Sequence, residues 1–200
     1  MKNPTLYSMA TILLLTSCNK MVDQMIDKQL ASSLSASSHT VDYVINQGQH
    51  DCNQNAYKII ETSQLKFVVR FDSSAIYQTA SLENQYDINK LYGFSDNNAD
   101  HHQFSARFGW RWSDGALRLF AYIYNNGVMS NKELGTVAIG IENNCSIQVT
   151  ATTYVFTLNG QTTEMPRLST TPKAKGYLLY PYFGGNETAP HNVHIWIKSL

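Results

Sequence analysis

Charged residues are scarce in this sequence of 200 residues, and neither sign of charge prevails. They make up 15% of the chain, with 15 lysines and arginines against 15 aspartates and glutamates. A chain with no net charge has no overall field to attract nucleic acid, so we expect no nucleic-acid partner. Tyrosine alone occurs 12 times, and such aromatic richness suits β-strands and contacts with carbohydrate.

The motifs of several common enzyme classes are also missing. The sequence has no glycine-rich phosphate loop and no serine elbow. Glu142, Glu164 and Glu187 stand apart from other acids, whereas most glycoside hydrolases use a pair of carboxylates. A two-carboxylate hydrolase therefore has little support.

No apolar run is long enough to cross a bilayer. The run Leu6–Leu15 is too short, follows a basic Lys2, and ends in Thr16, Ser17 and Cys18, the pattern of a lipoprotein signal. We predict a signal peptide over 1–17 and lipidation of Cys18, where two acyl chains give stable anchoring. The alternative is an ordinary signal peptide with an incidental cysteine. We expect an exported protein that a lipid alone anchors to the bacterial cell envelope, at the outer membrane.

Two cysteines remain once Cys18 is set aside. Cys52 and Cys145 form an even pair in an oxidising compartment, which predicts a disulfide between them. Two free thiols are the alternative. Residues 18–50, with a Ser/Ala-rich stretch, are interpreted as the lipid anchor and a flexible tether, and residues 51–200 as one domain, expected to be monomeric.

The hydrophobic period inside the domain is two, which is typical of β-strands. Apolar residues alternate with polar ones through Leu65–Phe71, and Asp-Gly and Asn-Gly turns at 114, 126 and 159 separate similar runs. The further predicted strands are 57–61, 75–79, 104–112, 117–124, 135–141, 146–150, 153–158, 176–183 and 193–198. Many short strands at such spacing predict an all-β antiparallel sandwich or jelly roll.

The hairpin around Asp114-Gly115 has a predictable register. A two-residue turn pairs Trp110 with Leu119 and Phe108 with Ala121, so this face is apolar and belongs to the core. The opposite face brings together these pairs: Arg111 with Arg118, Gly109 with Phe120, Arg107 with Tyr122, and Ser105 with Tyr124. Arginine grips carboxylates in bidentate fashion and phenol rings cover sugars, so this face suits an anionic sugar. A solvated outer sheet of packed Arg and Tyr stems is the alternative.

Several motifs in one order carry a resemblance to a known family. They are Phe104-Ser105-Ala106-Arg107-Phe108 with Trp110-Arg111, Tyr122-x-Tyr124, Lys90-Leu91-Tyr92-Gly93, Tyr182-Phe183-Gly184-Gly185 and Ala189-Pro190. Over about residues 89–197 the chain resembles the concanavalin-like jelly-roll polysaccharide lyases of the alginate lyase and glucuronan lyase type. Ile88, Asn89 and Tyr92 depart from the family's lysine segment, and the loop before Tyr122 is longer.

The resemblance implies both a fold and a chemistry. The implied catalytic residues are Lys90, Ser105, Arg107, Tyr122 and Tyr124. Four of these share the polar hairpin face by register alone. The expected reaction is β-elimination at a uronic acid: Arg107 with Lys90 neutralises the carboxylate, and a tyrosine, here Tyr124, takes the C5 proton with help from these cations. A non-catalytic carbohydrate-binding surface lipoprotein of the same fold is the alternative, and a purely structural lipoprotein is a third.

Other polar residues complete the expected site. The predicted substrate contacts are Arg111, Arg118, Phe120, Tyr182 and His191, and Tyr180 shares a face with Tyr182. We expect no metal and no cofactor, because the adjacent His101 and His102 would point in different directions and no third ligand is spaced for zinc. A surface loop at the cleft rim is the preferred interpretation of these histidines. A structural calcium at Asp96–Asp100 is the alternative.

Overall fold

The computed structural model describes residues 39–200, and these form two antiparallel β-sheets that pack face to face. The strands are β1 (Thr40–Ile45), β2 (Ile59–Thr62), β3 (Gln64–Phe71), β4 (Asn89–Ser95), β5 (Phe104–Ser113), β6 (Ala116–Asn125), β7 (Val128–Val137), β8 (Glu142–Val149), β9 (Thr153–Leu158), β10 (Gln161–Pro166), β11 (Ala174–Leu179) and β12 (Val193–Ser199). Two short 3-10 helices, Ser73–Ala75 and Leu82–Tyr86, lie between β3 and β4. The predicted signal peptide, Cys18 and most of the tether lie outside the described residues.

Each sheet has six strands. The first has the order β1-β12-β3-β8-β9-β10, and the second has the order β2-β11-β4-β5-β6-β7. In both sheets, some neighbouring strands are consecutive in the chain and others are far apart in it, as in a jelly roll. The prediction of an all-β jelly-roll sandwich is confirmed. Within the described range, no helix is long and apolar enough to span a membrane.

The core fills the space between the sheets with alternate residues of each strand. Phe67 of β3 lies edge-on to Phe108 of β5, with ring centroids 5.4 Å apart, and Phe108 meets Phe156 of β9 at 5.3 Å. All three rings are fully buried. Because side chains alternate across a strand, the odd-numbered residues of β5 must point away from this core.

The sheet begins earlier in the chain than predicted. Thr40–Ile45 pairs along its length with β12, and Tyr43 and Ile45 are buried, so residues 40–50 belong to the sandwich and not to the tether.

Strands β4 and β10 were also missing from the sequence prediction. The strand predicted at 75–79 is instead a short helix ending at Ala75, begun where the Asp72 carboxylate accepts the Ser74 amide at 2.8 Å, followed by irregular chain. The strand predicted at 135–141 lies earlier, as β7.

The predicted disulfide is wrong, because Cys52 and Cys145 are both buried free thiols. Cys145 lies on β8, whereas Cys52 bridges to Ile45 on β1. Strands β12 and β3 stand between β1 and β8 in the same sheet. Three strand spacings of about 4.8 Å exceed the roughly 7 Å limit between Cα atoms for a disulfide.

Candidate functional site

The β5–β6 hairpin presents the polar face that the sequence predicted. Its register pairs Arg107 with Tyr122 and Ser105 with Tyr124, and Trp110 with Leu119 on the buried side. Asp114 adopts a positive φ of 54° ahead of Gly115, which is the backbone of a two-residue hairpin turn. The predicted register is confirmed at every pair of the hairpin.

Arg107 is buried without a negative partner. Its side chain is 6% exposed, and its Nε has no hydrogen-bond partner among residues 39–200. No carboxylate in that range pairs with it. Burial lowers the pKa of Arg107 to about 10, although the neighbouring phenols of Tyr122 and Tyr124 favour its charged form. A charged group buried in this way is costly unless an anion meets it, so the position is suited to an anionic ligand.

Lys90 lies beside Arg107 because β4 contains an extra residue. Lys90 pairs with Gly109 and Gly93 pairs with Arg107, so Leu91 and Tyr92 together oppose a single residue of β5. Leu91 and Tyr92 both enter the core, and this bulge keeps Lys90 on the outer face.

The lysine ammonium is held in place and partly desolvated. Its Nζ donates to the Ile88 carbonyl at 2.8 Å and lies 5.1 Å from the ring centroid of Tyr122. Burial, followed by the nearby charge of Arg107, lowers the pKa of Lys90 to about 8. Two cations thus converge on one phenol ring, since the Arg107 guanidinium is 5.5 Å from the same centroid.

Glycines permit this close approach. A Cβ at Gly93 would collide with the Ala106 carbonyl and the Arg107 side chain, and a Cβ at Gly184 would lie 2.7 Å from the Lys90 ammonium. The amide of Gly184 donates to Asn89 at 2.9 Å, which fixes the 182–185 segment against the start of β4.

Tyr122 and Tyr124 follow each other on the outer face of β6. Their ring centroids are 5.9 Å apart at an interplanar angle of 61°. Burial, with the adjacent Tyr124, raises the pKa of Tyr122 well above its usual range, so Tyr122 stays a neutral phenol at physiological pH. The ring of His102 meets Tyr124 edge-on at 5.4 Å.

Tyr182 closes the floor of the groove on the other side of Lys90. Its backbone exchanges two hydrogen bonds with Lys90, at 2.8 and 3.0 Å. Its ring stacks on His50, with centroids 5.2 Å apart and planes 10° apart. The predicted contribution of Tyr182 to the groove agrees with this position, whereas His50 was not predicted.

Four of the five implied catalytic residues line one cavity of about 340 Å³, which we name the cationic cavity. These are Lys90, Arg107, Tyr122 and Tyr124, joined by Tyr182, His101 and His102. No aspartate or glutamate of the part of the chain described here lines it. The cavity therefore offers two cations and several phenols, but no pair of carboxylates.

A second cavity, of about 270 Å³, adjoins the first and shares Arg107, His101 and Tyr182 with it. We name it the tyrosine cavity, because Tyr57, Tyr177 and Tyr180 all line it. The rest of its wall comes from Asp51, Asn55, Leu178, Leu179 and Pro181. The ring centroids of Tyr57 and Tyr177 lie 5.2 Å apart, and Tyr57 is 73% exposed. Such open rings are suited to stacking on sugars.

Ser105 is on the predicted face but outside the cavity wall. It is fully buried between Ser95 and Tyr124 in the sheet, and its hydroxyl has no partner among the described residues. A ligand in the cationic cavity does not reach this hydroxyl in the present geometry.

Four of the five predicted substrate contacts, Arg111, Arg118, Phe120 and His191, lie outside the cationic cavity. Arg118 is paired with Glu133 at 2.9 Å and Asp114 at 3.4 Å. Arg111 donates to the Tyr86 carbonyl at 2.7 Å and stacks on Phe120, near the hairpin turn. The predicted roles of Arg111, Arg118 and Phe120 are therefore wrong for this cavity, because local partners occupy them.

His191 is also misplaced by the prediction. It precedes β12 of the first sheet, and its Nε2 bonds to the Ser74 carbonyl at 2.8 Å. The second histidine of that segment, His194, faces Asp42 at 3.0 Å. Neither lines the cationic cavity.

The predicted calcium alternative at Asp96–Asp100 is contradicted by the position of Asp96. Its carboxylate is fully buried and accepts hydrogen bonds from Arg167 at 2.8 Å and Tyr154 at 2.7 Å. Protein donors already satisfy these oxygens, so they are not open to calcium.

His101 and His102 are the rim residues that the sequence favoured, but they do not point apart as expected. They lie in a turn rather than a strand, and their ring centroids are 4.2 Å apart. With Asp100 they form the group in residues 39–200 whose donor atoms, all within 4.8 Å, could hold a metal ion. His101 Nδ1 already bonds to the Tyr177 hydroxyl at 2.8 Å.

No protein-family model and no curated protein sequence matches the chain. Solved structures share its fold. The alginate lyase vAL-1 from Chlorella virus is 11% identical, with 81% of this chain and 83% of that one covered at a TM-score of 0.50. A Bacteroides ovatus mixed linkage glucan PUL GH16, in complex with a G4G4G3G product, is 9% identical, with coverages of 82% and 81% and a TM-score of 0.55. The laminarinase catalytic domain from Thermotoga maritima MSB8 is 9% identical, with 80% and 75% covered at 0.52.

The fold is thus a jelly-roll β-sandwich. A lyase, a GH16 and a laminarinase share it, so the likeness defines the architecture and leaves the chemistry to the residues in the groove.

Proposed function

We propose that this protein is a polysaccharide lyase that cleaves uronic-acid-containing polysaccharide by β-elimination. The observation that carries the proposal is the buried guanidinium of Arg107, which has no anion beside it among the described residues and lines a cavity without carboxylates. A uronate carboxylate supplies the missing negative charge and fits the guanidinium in bidentate fashion.

The two cations prepare the substrate for proton loss. Arg107 and Lys90 balance the uronate carboxylate and the negative charge that spreads onto it when the C5 proton leaves. Their electrostatic effect is strong because Arg107 is almost wholly screened from water.

Tyr124 takes the proton in this scheme. The C5–H bond breaks and its proton passes to the Tyr124 side-chain oxygen, the electron pair forms the C4=C5 double bond, and the C4–O bond breaks. In the same step the phenol proton of Tyr124 passes to the leaving glycosidic oxygen, so Tyr124 is a neutral phenol before and after the reaction. Tyr122 remains protonated, because burial raises its pKa, and acts as a hydrogen-bond donor.

Hydrolysis has less support, although a GH16 and a laminarinase share the fold. A glycoside hydrolase needs an acid and a second carboxylate on opposite sides of the bond. The cationic cavity presents neither within residues 39–200.

One observation favours the alternative of a non-catalytic carbohydrate-binding protein. Ser105, which the family resemblance implies in catalysis, is buried outside the cavity wall. A site that has lost one part of its machinery still keeps the cations and rings that bind an acidic sugar.

One pair of variants separates the two functions. The probes are acidic polysaccharides of two kinds: polymers of uronic acid alone, such as alginate and glucuronan, and polymers in which uronic acid alternates with a neutral sugar. Tyr124→Phe should abolish the ultraviolet absorbance of unsaturated products and retain binding, whereas Arg107→Met should lose both. Tyr86→Phe and Arg70→Met, outside the cavity, are the matched controls. Binding by the unaltered protein without any new absorbance would favour the binding protein, and unchanged turnover in Tyr124→Phe would remove that residue from the mechanism.

We also propose that the protein is held at the cell envelope by lipid on Cys18. The proposal rests on the sequence alone, which places a short apolar run and small residues before this cysteine. Cys18→Ser should move the protein from the membrane fraction to the soluble fraction. A membrane-bound Cys18→Ser protein would contradict the anchor.

A further inference from the structure

The groove extends beyond the reacting centre. The cationic and tyrosine cavities meet at Arg107, His101 and Tyr182, so a chain of sugars bound in the first continues into the second. Of these two cavities, Tyr124 borders the cationic cavity and not the tyrosine cavity. The uronate that loses its C5 proton therefore lies in the cationic cavity, and its neighbour in the chain lies in the tyrosine cavity.

The positive charge of the groove suffices for one uronate only. Lys90 and Arg107 are the lysine and arginine that line the cationic cavity, and the negative charge of Asp87 already acts on Lys90. One uronate carboxylate therefore suffices to balance the remaining positive charge. Among residues 39–200, Arg107 is the only lysine or arginine that lines the tyrosine cavity, and it is shared with the cationic cavity. A second uronate there would have no positive partner.

The tyrosine cavity also carries negative charge. Asp51 lines it, and Asp100, which lines neither cavity, accepts a hydrogen bond from the Tyr177 hydroxyl at 3.3 Å. Like charges at such distances oppose each other, by an amount that solvent reduces but does not remove. The exposed ring of Tyr57 and the amide of Asn55 instead suit the apolar face and hydroxyl or amide groups of an uncharged sugar.

We infer that the sugar next to the reacting uronate is uncharged, and that the substrate is a polymer in which uronic acid alternates with a neutral hexose or an N-acetylhexosamine. The inference rests on the proposed function and specifies its substrate class. Polymers of uronic acid alone are then poor substrates, since they place a carboxylate against Asp51.

The test uses the full chain in detergent and two sets of oligosaccharides of equal length. One set alternates glucuronate with N-acetylglucosamine, and the other contains glucuronate alone. We expect kcat/KM, followed by the absorbance of unsaturated ends, to be at least about tenfold higher for the alternating set.

Asp51→Lys should remove most of the preference by raising kcat/KM for the glucuronate-only set about tenfold. Glu142→Lys, which makes the same charge change on the first sheet, should leave the preference as it was. Equal rates on both sets, with no effect of Asp51→Lys, would overturn the inference and leave the lyase function intact.

Absence of lyase activity would give a different result from failure of the inference about the neighbouring sugar. If neither set is cleaved, calorimetric affinities for the same oligosaccharides replace the rates, and the alternating set should still bind about tenfold more tightly. Equal affinities, or no binding of either set, would overturn the inference.

Discussion

Arg107 shows how a single residue links stability to function. A buried guanidinium without an anion lowers the stability of the free protein, and this is tolerated where a ligand supplies the charge. The same isolation strengthens its attraction for a carboxylate, because little water competes. The residue is therefore poorly suited to folding and well suited to binding.

The acidity of Lys90 gives the site a dependence on pH. Its pKa is lowered to about 8, so the free protein loses one of its two cationic-cavity charges as the pH rises through that value. We expect kcat/KM on an acidic polysaccharide to fall above about pH 8 for this reason. In Lys90→Arg, whose guanidinium keeps its charge to higher pH, the falling limb should shift upward by about one unit or more.

The measurement is kcat/KM against pH for both proteins. Lys66→Arg, on the first sheet, is the control and should leave the profile unchanged. If kcat/KM of Lys90→Arg still falls near pH 8, the fall is caused by the titration of another group.

At the level of residues, the sequence predicted what lies within one hairpin. Turn chemistry fixes the pairing of Arg107 with Tyr122, so a local rule was sufficient. His50, Tyr57 and Tyr177 were missed, because they reach the groove from segments far apart in the chain and carry no shared motif. Arg118 was misassigned since its partner Glu133 lies on β7, whose position was not predicted correctly.

Among the elements, β4 decides the geometry of the site. Its bulge at Leu91 and Tyr92 changes the alternation of side chains, and Gly93 then allows β4 to pack directly against Arg107. Strand alternation alone does not predict such a bulge, because its two core-facing residues are consecutive. β1 was missed for a similar reason: it lies beside a Ser/Ala-rich stretch, and only its pairing with β12 defines it.

Gly93→Ala tests the role of this close approach. The new Cβ would meet the Ala106 carbonyl and the Arg107 side chain, so β4 or the guanidinium must shift. We expect kcat to fall by about 10²-fold, the usual effect of a displacement near 1 Å, and stability to fall by about 1–3 kcal/mol. Steady-state kinetics and urea denaturation measure these effects.

Gly140→Ala is the matched control for that variant. Its Cβ would have open space around it, and only the φ of 82° makes alanine unfavourable there. It should lose stability and keep kcat. Full activity in Gly93→Ala would show that the glycine is not needed to position Arg107.

For the whole molecule, a buried ion pair links the two sheets. Asp96 follows β4 in the second sheet, and Arg167 follows β10 in the first. The Arg167 Nε lies 2.8 Å from the Asp96 Oδ2, and the side chains are 1% and 0% exposed, respectively. Burial alone would raise the pKa of Asp96, but hydrogen bonds from Arg167 and Tyr154 outweigh burial and lower it below its usual value.

Removing Arg167 should destabilise the fold and leave the groove chemistry intact. Arg167→Met leaves the Asp96 carboxylate buried without its cation, which typically costs about 3–5 kcal/mol. Lys175→Met breaks an exposed pair with Glu61 and should change stability by less than about 1 kcal/mol. Urea denaturation distinguishes the two, and equal effects would contradict a structural role for the buried pair.

The same pair predicts how stability depends on pH. Because the folded pKa of Asp96 lies below its unfolded value, its contribution is complete above the unfolded value and is lost as the pH falls through the folded one. Stability should therefore decline under acid conditions, and Asp96→Asn should flatten that decline.

The fold class was predictable because alternation and turn residues repeat along the chain, whereas the relation between distant strands was not. The even number of cysteines suggested a bond that the order of β1, β12, β3 and β8 places out of reach. The sequence gives the number of cysteines but not how many strands separate them in the sheet.

The two unpaired thiols have a consequence for how the domain is made. Cys52 and Cys145 are enclosed within the sandwich, and no covalent cross-link joins distant parts of the chain between residues 39 and 200. We therefore expect the domain to reach its native topology without an oxidant or a thiol isomerase, and a reductant to leave its unfolding midpoint unchanged. Maturation of this domain is independent of the redox poise of the compartment that receives it.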